Sequence, residues 1–164
     1  MLSRLFQAGL KLKPNKCRFL QRKLVYLGHV VSEEGIECNP EGIQALLSWK
    51  VPTSVKELQK FLGLAGYFRR YVENFARIAR PLHALTGTVK DKKGVSRPVP
   101  WIWGHDQQTA FDRLKEVLTS PPVLAYPDYS LPFILRVDAS FEGLGAVLCQ
   151  EQEGVVRVIA YASR

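Results

Sequence analysis

Apolar residues recur at two different periods along this chain, and the change of period divides it. Over residues 53–71 (TSVKELQKFLGLAGYFRRY) they return every three or four positions. At 100° per residue, Val55, Leu58, Phe61, Leu62, Ala65, Phe68 and Val72 gather on one side, the core stripe of an amphipathic helix. The same period predicts helices over residues 39–49 (Ile43, Leu46, Leu47), 74–85 (Phe75, Ile78, Ala79, Leu82, Leu85) and 106–119 (Ala110, Phe111, Leu114, Val117, Leu118). A shorter one over residues 2–9 is closed by Gly9. The boundaries carry their own chemistry. Asn39 precedes Pro40, a cap followed by proline at the first helical position. Ser54 and Glu57 have the spacing of a capping box. Val51-Pro52 and Pro121-Pro122 stop the helices before them, and Pro81 predicts a kink.

Elsewhere the period is two, or the apolar run is short and rich in β-formers. Residues 18–20 and 24–31 (LVYLGHVV) predict strands, with a turn at 32–35. Residues 133–138, 145–150 and 155–162 predict an antiparallel meander joined by short polar turns. Between the helical and the last β region, residues 86–100 (TGTVKDKKGVSRPVP) hold two prolines, two glycines and few apolar residues. They predict a linker made basic by Lys90, Lys92, Lys93 and Arg97. The class expected is α+β.

The helix over 53–71 has a second face. Roughly opposite the core stripe lie Lys56, Gln59, Gly63, Tyr67 and Arg70. A glycine in mid-helix costs about 1 kcal/mol relative to alanine, so a merely solvated face is a poor account of it. Gln59, Gly63 and Tyr67 stand at i, i+4 and i+8, on one line. An amide, a place where backbone can approach closely and a flat ring suit a narrow polymeric groove, with Lys56 and Arg70 beside its phosphates. The competing reading is that Gly63 and Gly66 allow close helix packing.

Charge favours the first reading. Residues 1–100 hold 18 Lys/Arg against 7 Asp/Glu, and residues 101–164 hold 5 against 8. A basic region joined to a mildly acidic one predicts two functional regions, the first suited to a polyanion. The hydrophobic content of 46% argues against disorder. No apolar run approaches a membrane span, so no membrane partner is expected. Cys17, Cys38 and Cys149 are odd in number and scattered, without metal-ligand spacing. They fit a reducing compartment, cytosol or nucleus, and the start of the chain is a poor secretory signal.

Candidate chemistry is sparse. Asp138 ends an apolar strand in FILRVDAS, where a carboxylate can bind Mg²⁺ or simply initiate a turn. Two-metal phosphodiester cleavage needs several converging carboxylates, and Glu142 lies in the following turn. His29 sits in a strand beside Gly28, a structural position as readily as a catalytic one. Trp101 and Trp103 either stack on bases or pin the linker to the core. No serine has the context of a hydrolase triad.

Several phrases then agree in order: YLGHVVSEEGI, PTSVKELQKFLGLAGYFRRYVENFARIARPLHALT, W-x-W, AFDRLKEVLTSPPVLAYPD, FILRVDAS-x-x-GLGAVLCQ and IAYASR. Nearly the whole chain resembles the reverse transcriptase–ribonuclease H region of gypsy-type long-terminal-repeat retrotransposon or retrovirus-like Pol polyproteins. The resemblance implies a palm-end hairpin in residues 1–38, a helical thumb in 39–86, the basic linker, and the first part of an RNase H-like domain in 101–164. It implies that Leu27, Gly28 and His29 grip a primer end, and that Gln59, Gly63 and Tyr67 track the minor groove of an RNA–DNA hybrid or DNA duplex. It makes Asp138 the first metal-binding RNase H carboxylate, with Mg²⁺ as the parent enzyme's cofactor and the remaining Pol segments as partners. The parent activities are RNA-directed DNA polymerisation and hydrolysis of RNA in hybrids. This chain has no Asp before Asp91 and no Tyr-x-Asp-Asp hairpin, and it stops at Arg164, ahead of the other RNase H carboxylates. The expectation is a fragment inactive in isolation that keeps its nucleic-acid-binding elements. Its alternatives are an RNase H completed by a second chain and a domesticated interaction module. A sheet face and strand edges beyond Tyr161 are expected to stand exposed.

Overall fold

A computed structural model describes residues 2–90, 94–140 and 143–164. After an exposed helix α1 (Leu2–Gln7), β1 (Lys23–Tyr26), β2 (His29–Ser32) and β3 (Gly35–Cys38) form an antiparallel sheet in that order. The stretch read as one strand over 24–31 is therefore a hairpin, with Tyr26 opposite His29. Both turn residues have positive φ, +46° at Leu27 and +73° at Gly28, as a two-residue hairpin turn of type I′ requires. Leucine seldom adopts that conformation, so only Gly28 signalled the reversal. Residues 18–20 form no strand, and β3 was not anticipated.

Helices α2 (Pro40–Leu47), α3 (Val55–Tyr67) and α4 (Phe75–Ala84) follow. Asn39 caps α2 through its side-chain oxygen, which accepts from Glu41 N at 3.3 Å. Ser54 Oγ accepts from Glu57 N at 3.3 Å, the first half of the expected box. The Glu57 carboxylate reaches one residue further back than the box prescribes. It takes Thr53 N at 2.8 Å and Thr53 Oγ1 at 3.0 Å, and these bonds hold its pKa below the usual carboxylate range. Helix α3 ends at Tyr67, and Arg69–Tyr71 form a 3₁₀ turn, so the run to 71 is not one helix. Helix α4 runs through Pro81 to Ala84.

Leu58, Phe61, Leu62, Ala65, Phe68 and Val72 are all buried, as the period requires, and Val55 is half-buried. Helix α5 (His105–Thr119) lays Ala110, Phe111, Leu114 and Leu118 into the same core, against α4 and α2. The Phe61 and Phe111 rings meet at 4.6 Å between centroids. Trp101 and Trp103 stack on each other at 5.8 Å, and Trp103 sets its edge on Phe111 and donates from Nε1 to Gln108 Oε1 at 2.9 Å. Both indoles pack against the core, the second of their two readings. Within the segment read as a linker, β4 (Thr88–Lys90) and β5 (Ser96–Pro98) pair as a small antiparallel ribbon; Lys92 and Lys93 lie outside the described residues.

The last sheet is the expected meander, β6 (Ile134–Ser140), β7 (Gly143–Gln152) and β8 (Val155–Ser163), in that order. One face, with Val158 and Tyr161, packs toward the helical core. The other leaves Leu135, Val137 and Leu144 exposed at 62%, 63% and 55%. Buried Gln150 ties the 126–131 loop to the sheet, donating to Asp128 O at 2.8 Å and Leu131 O at 3.1 Å and accepting from Asp128 N at 2.8 Å. Among the described residues no helix is long and apolar enough to cross a membrane.

Candidate nucleic-acid interface

The two groups singled out in the sequence meet in space. Lys56, Gln59 and Gly63 are exposed along α3, and the line they start ends at Tyr67, which is 45% exposed. A Cβ added at Gly63 or Gly66 would meet nothing within 4 Å, so neither glycine serves helix packing. Tyr67 lies against the β1–β2 turn. Its hydroxyl donates to the Leu27 carbonyl, its ring stacks on His29 at 5.0 Å and 9°, and its Oη is 3.0 Å from His29 Nε2. Gly28 is required here twice over: by its positive φ, and because a Cβ would stand 2.7 Å from Tyr67 Oη. Leu27, Gly28 and His29 thus prolong the line begun by Gln59 and Gly63.

His29 is also reached from the other side. Tyr71, buried in the 3₁₀ turn, places its Oη 2.9 Å from His29 Nδ1. Burial pushes the Tyr71 phenol up to about 12, so it keeps its proton. Burial, and then the Arg70 guanidinium, lower the pKa of His29. Arg70 follows the end of α3 rather than continuing its outer face, with its guanidinium 6.0 Å from the Tyr71 ring centroid. Tyr71 was not among the residues singled out. Its only signal was its place one turn after Tyr67, and the hairpin that gives it a partner was read as a strand.

Asp138 lies within β6, opposite Gly145 and on the sheet's edge strand, rather than at a turn. It is exposed and borders a cleft of about 400 Å³ lined also by Glu73, Asn74, Arg136, Cys149 and Tyr161. No group of three or more His, Cys, Asp or Glu able to hold a metal ion occurs among the described residues, and Glu142 lies outside them. Asp138 alone does not fit a complete Mg²⁺ site, which needs more than one carboxylate.

The meander is fixed to the helices by Ser163. Asn74, at φ +55°, does not cap α4 with its own side chain, and its Oδ1 lies over Gly145 instead. Ser163 Oγ takes the capping role, accepting from Ala76 N at 2.9 Å, while the Ser163 carbonyl accepts from the Arg69 guanidinium. Arg69, which falls on the apolar side if the helix is extended to 71, is therefore bound to β8 rather than threading past the stripe. Ser163→Ala is expected to cost about 1 kcal/mol, the value of an N-cap. Urea denaturation measures that loss, and faster hydrogen exchange at the Ala76 amide locates it.

Residues 103–164 match the RNase H-like domain found in reverse transcriptase. The retrovirus-related Pol polyprotein from transposon opus of Drosophila melanogaster is 37% identical over 166 residues, covering 100% of this chain and 17% of the polyprotein. The one from transposon gypsy of the same species is 37% identical over 164 residues, covering 96% and 16%. The Tf2-3 polyprotein of Schizosaccharomyces pombe is 34% identical over 153 residues, covering 93% and 11%. The foamy viral protease–reverse transcriptase dRH, solved in complex with double-stranded DNA, superposes with a TM-score of 0.78 at 23% identity, over 99% of this chain and 27% of its own. The foamy viral protease–reverse transcriptase in complex with RNA/DNA hybrid superposes at 0.71 over 92% and 19%. Residues 103–164 are thus an RNase H-like domain of the reverse transcriptase type, and the chain as a whole is similar to a segment of gypsy-type LTR-transposon Pol polyproteins, spanning about a sixth of the opus and gypsy polyproteins.

Proposed function

We propose that this chain is the part of a retroelement reverse transcriptase that grips an RNA–DNA hybrid or DNA duplex, with residues 1–38 as the palm end, 39–86 as thumb, 87–100 as linker and 101–164 as the start of the RNase H domain. The observation that carries this is the continuous line from Gln59 through Gly63 and Tyr67 to the Leu27–Gly28–His29 turn. Gln59 and Tyr67 are eight residues apart, roughly 12 Å along the helix, or three to four base-pair rises. Gln59 offers donors and an acceptor, Gly63 leaves room for a sugar edge, and Lys56 and Arg70 stand by the phosphates. The complexes of the foamy viral enzyme with double-stranded DNA and with RNA/DNA hybrid support the same partner class. Asp138 is read as the first carboxylate of an RNase H site, and Mg²⁺-dependent cleavage needs further carboxylates converging beside it.

Fluorescence anisotropy with a labelled hybrid tests the grip. Neutralising about three phosphates is expected to weaken binding roughly fortyfold between 50 and 200 mM salt. Gln59→Ala with Tyr67→Ala is expected to weaken it about tenfold, through loss of the Gln59 amide's hydrogen bond and of the ring that holds the Leu27–His29 turn in line. Salt-independent binding, or none by the folded protein, rejects the reading.

A further inference from the structure

We infer that His29 and Tyr71 are positioning residues of this grip: a relay from Tyr71 through His29 and Tyr67 to Leu27 holds the turn on the end of α3 while the imidazole is neutral, and acid releases it. The inference rests on the reading of this surface as a duplex grip and adds its regulation.

Hydrogen-bond directions follow from the partners. The Leu27 carbonyl can only accept, so it takes the single proton of the Tyr67 hydroxyl. The Tyr67 oxygen must then accept from His29 Nε2, 3.0 Å away. With its proton on Nε2, the neutral ring has a bare Nδ1, which accepts from Tyr71 Oη at 2.9 Å. All four groups are satisfied in one direction only. A second proton, on Nδ1, would force the Tyr71 hydroxyl to turn and accept, leaving its own proton buried without another partner among the described residues.

The surroundings offer the imidazolium no counter-charge. Its cross-strand neighbours are Tyr26 on β1 and Cys38 on β3. Burial pushes the Cys38 thiol up to about 12, so it stays neutral. Nearby Glu37 is held by Lys23 at 3.1 Å. Helix α3 contributes Tyr67, and the 3₁₀ turn contributes Tyr71 and the cation Arg70. Burial and Arg70 accordingly depress the His29 pKa below its ordinary 6.5. The docked turn disfavours the charged ring, so docking is fully supported above about 6.5 and loses support as pH falls from there toward the depressed value.

Long-range ¹H–¹⁵N spectra of the full chain are expected to show the His29 proton on Nε2 at pH 7.5; a proton on Nδ1 overturns the relay. The NOE between the Gly28 amide and the Tyr67 ring is expected to vanish as His29 titrates, and an NOE that persists through the titration overturns the release. Tyr71→Phe removes the donor to Nδ1 with little change of shape. It is expected to move the His29 midpoint, which loss of packing alone would not do, and an unmoved midpoint excludes Tyr71 from the relay. Hybrid affinity is expected to fall about fivefold from pH 7.5 to 5.5, one hydrogen bond's worth, and to stay flat in His29→Phe. Affinity that rises with imidazolium charge overturns the release. Absence of hybrid binding at every pH rejects the grip alone, because the tautomer and the NOE test the relay without nucleic acid.

Discussion

Phe111→Ala is expected to destabilise the protein by about 3–5 kcal/mol, the range for a buried phenylalanine removed from a core. Phe111 is 2% exposed and stands where α5 joins the helices before it. Its ring lies 4.6 Å from Phe61 and 6.0 Å from Trp103, and the Lys115 ammonium sits 5.0 Å from its centroid. Truncation leaves a void lined by groups from three segments that cannot close in together. Because α2 to α5 share one core, residues 39–119 are expected to unfold in a single urea transition, read by Trp49, Trp101 and Trp103. Separate melting of α5, or a loss below about 1.5 kcal/mol, which is what a tolerated repacking costs, would show that the shared core does not bind α5 to its neighbours.

Helices α2 to α5 were legible from their apolar stripes, and α2 and α3 also from their own caps. Leu58, Phe61, Leu62 and Ala65 are buried where their period put them, and Asn39 and Ser54 cap where capping chemistry put them. Legibility failed where the structure depends on a distant partner or on a backbone state that the residue type does not advertise. Leu27 takes a left-handed φ that glycine or asparagine would have signalled, so LVYLGHVV read as one strand. The partner of Arg69, the Ser163 carbonyl, is 94 residues away, so no local pattern announces it. Asn74 read as a helix start, yet the group that caps α4 comes from the last strand.

The same division holds at the candidate interface. Spacing alone put Gln59, Gly63 and Tyr67 on one line, since i, i+4 and i+8 coincide on any α-helix. That this line would run on into Leu27, Gly28 and His29 was not anticipated, because the resemblance assigned the two groups separately and helical periodicity says nothing about a loop 40 residues upstream. Tyr71 was legible by neither route. The end of α3 at Tyr67 turns it away from the continuing helix and toward the imidazole.

Gly35→Ala is expected to cost about 3–4 kcal/mol, through a left-handed backbone worth about 1–2 and two strained or broken hydrogen bonds worth about 1 each. Gly35 has φ +143°, and a Cβ there would stand 2.3 Å from the Leu124 carbonyl oxygen. That oxygen cannot yield cheaply. It accepts from Ile36 N at 2.8 Å while Leu124 N donates back to Ile36 O at 3.0 Å, and the next residue, Ala125, donates to Val158 O at 2.8 Å. Residues 124–125 therefore join β3 to β8, and a methyl group at position 35 pushes directly on that joint. Hydrogen exchange at Ile36 and Leu124 is expected to accelerate with the loss of stability. Gly94→Ala is the control, having φ +77° but open space around its Cβ, so it carries the backbone penalty without the collision. Equal losses for the two variants would show that backbone conformation, not contact with Leu124, is what Gly35 supplies.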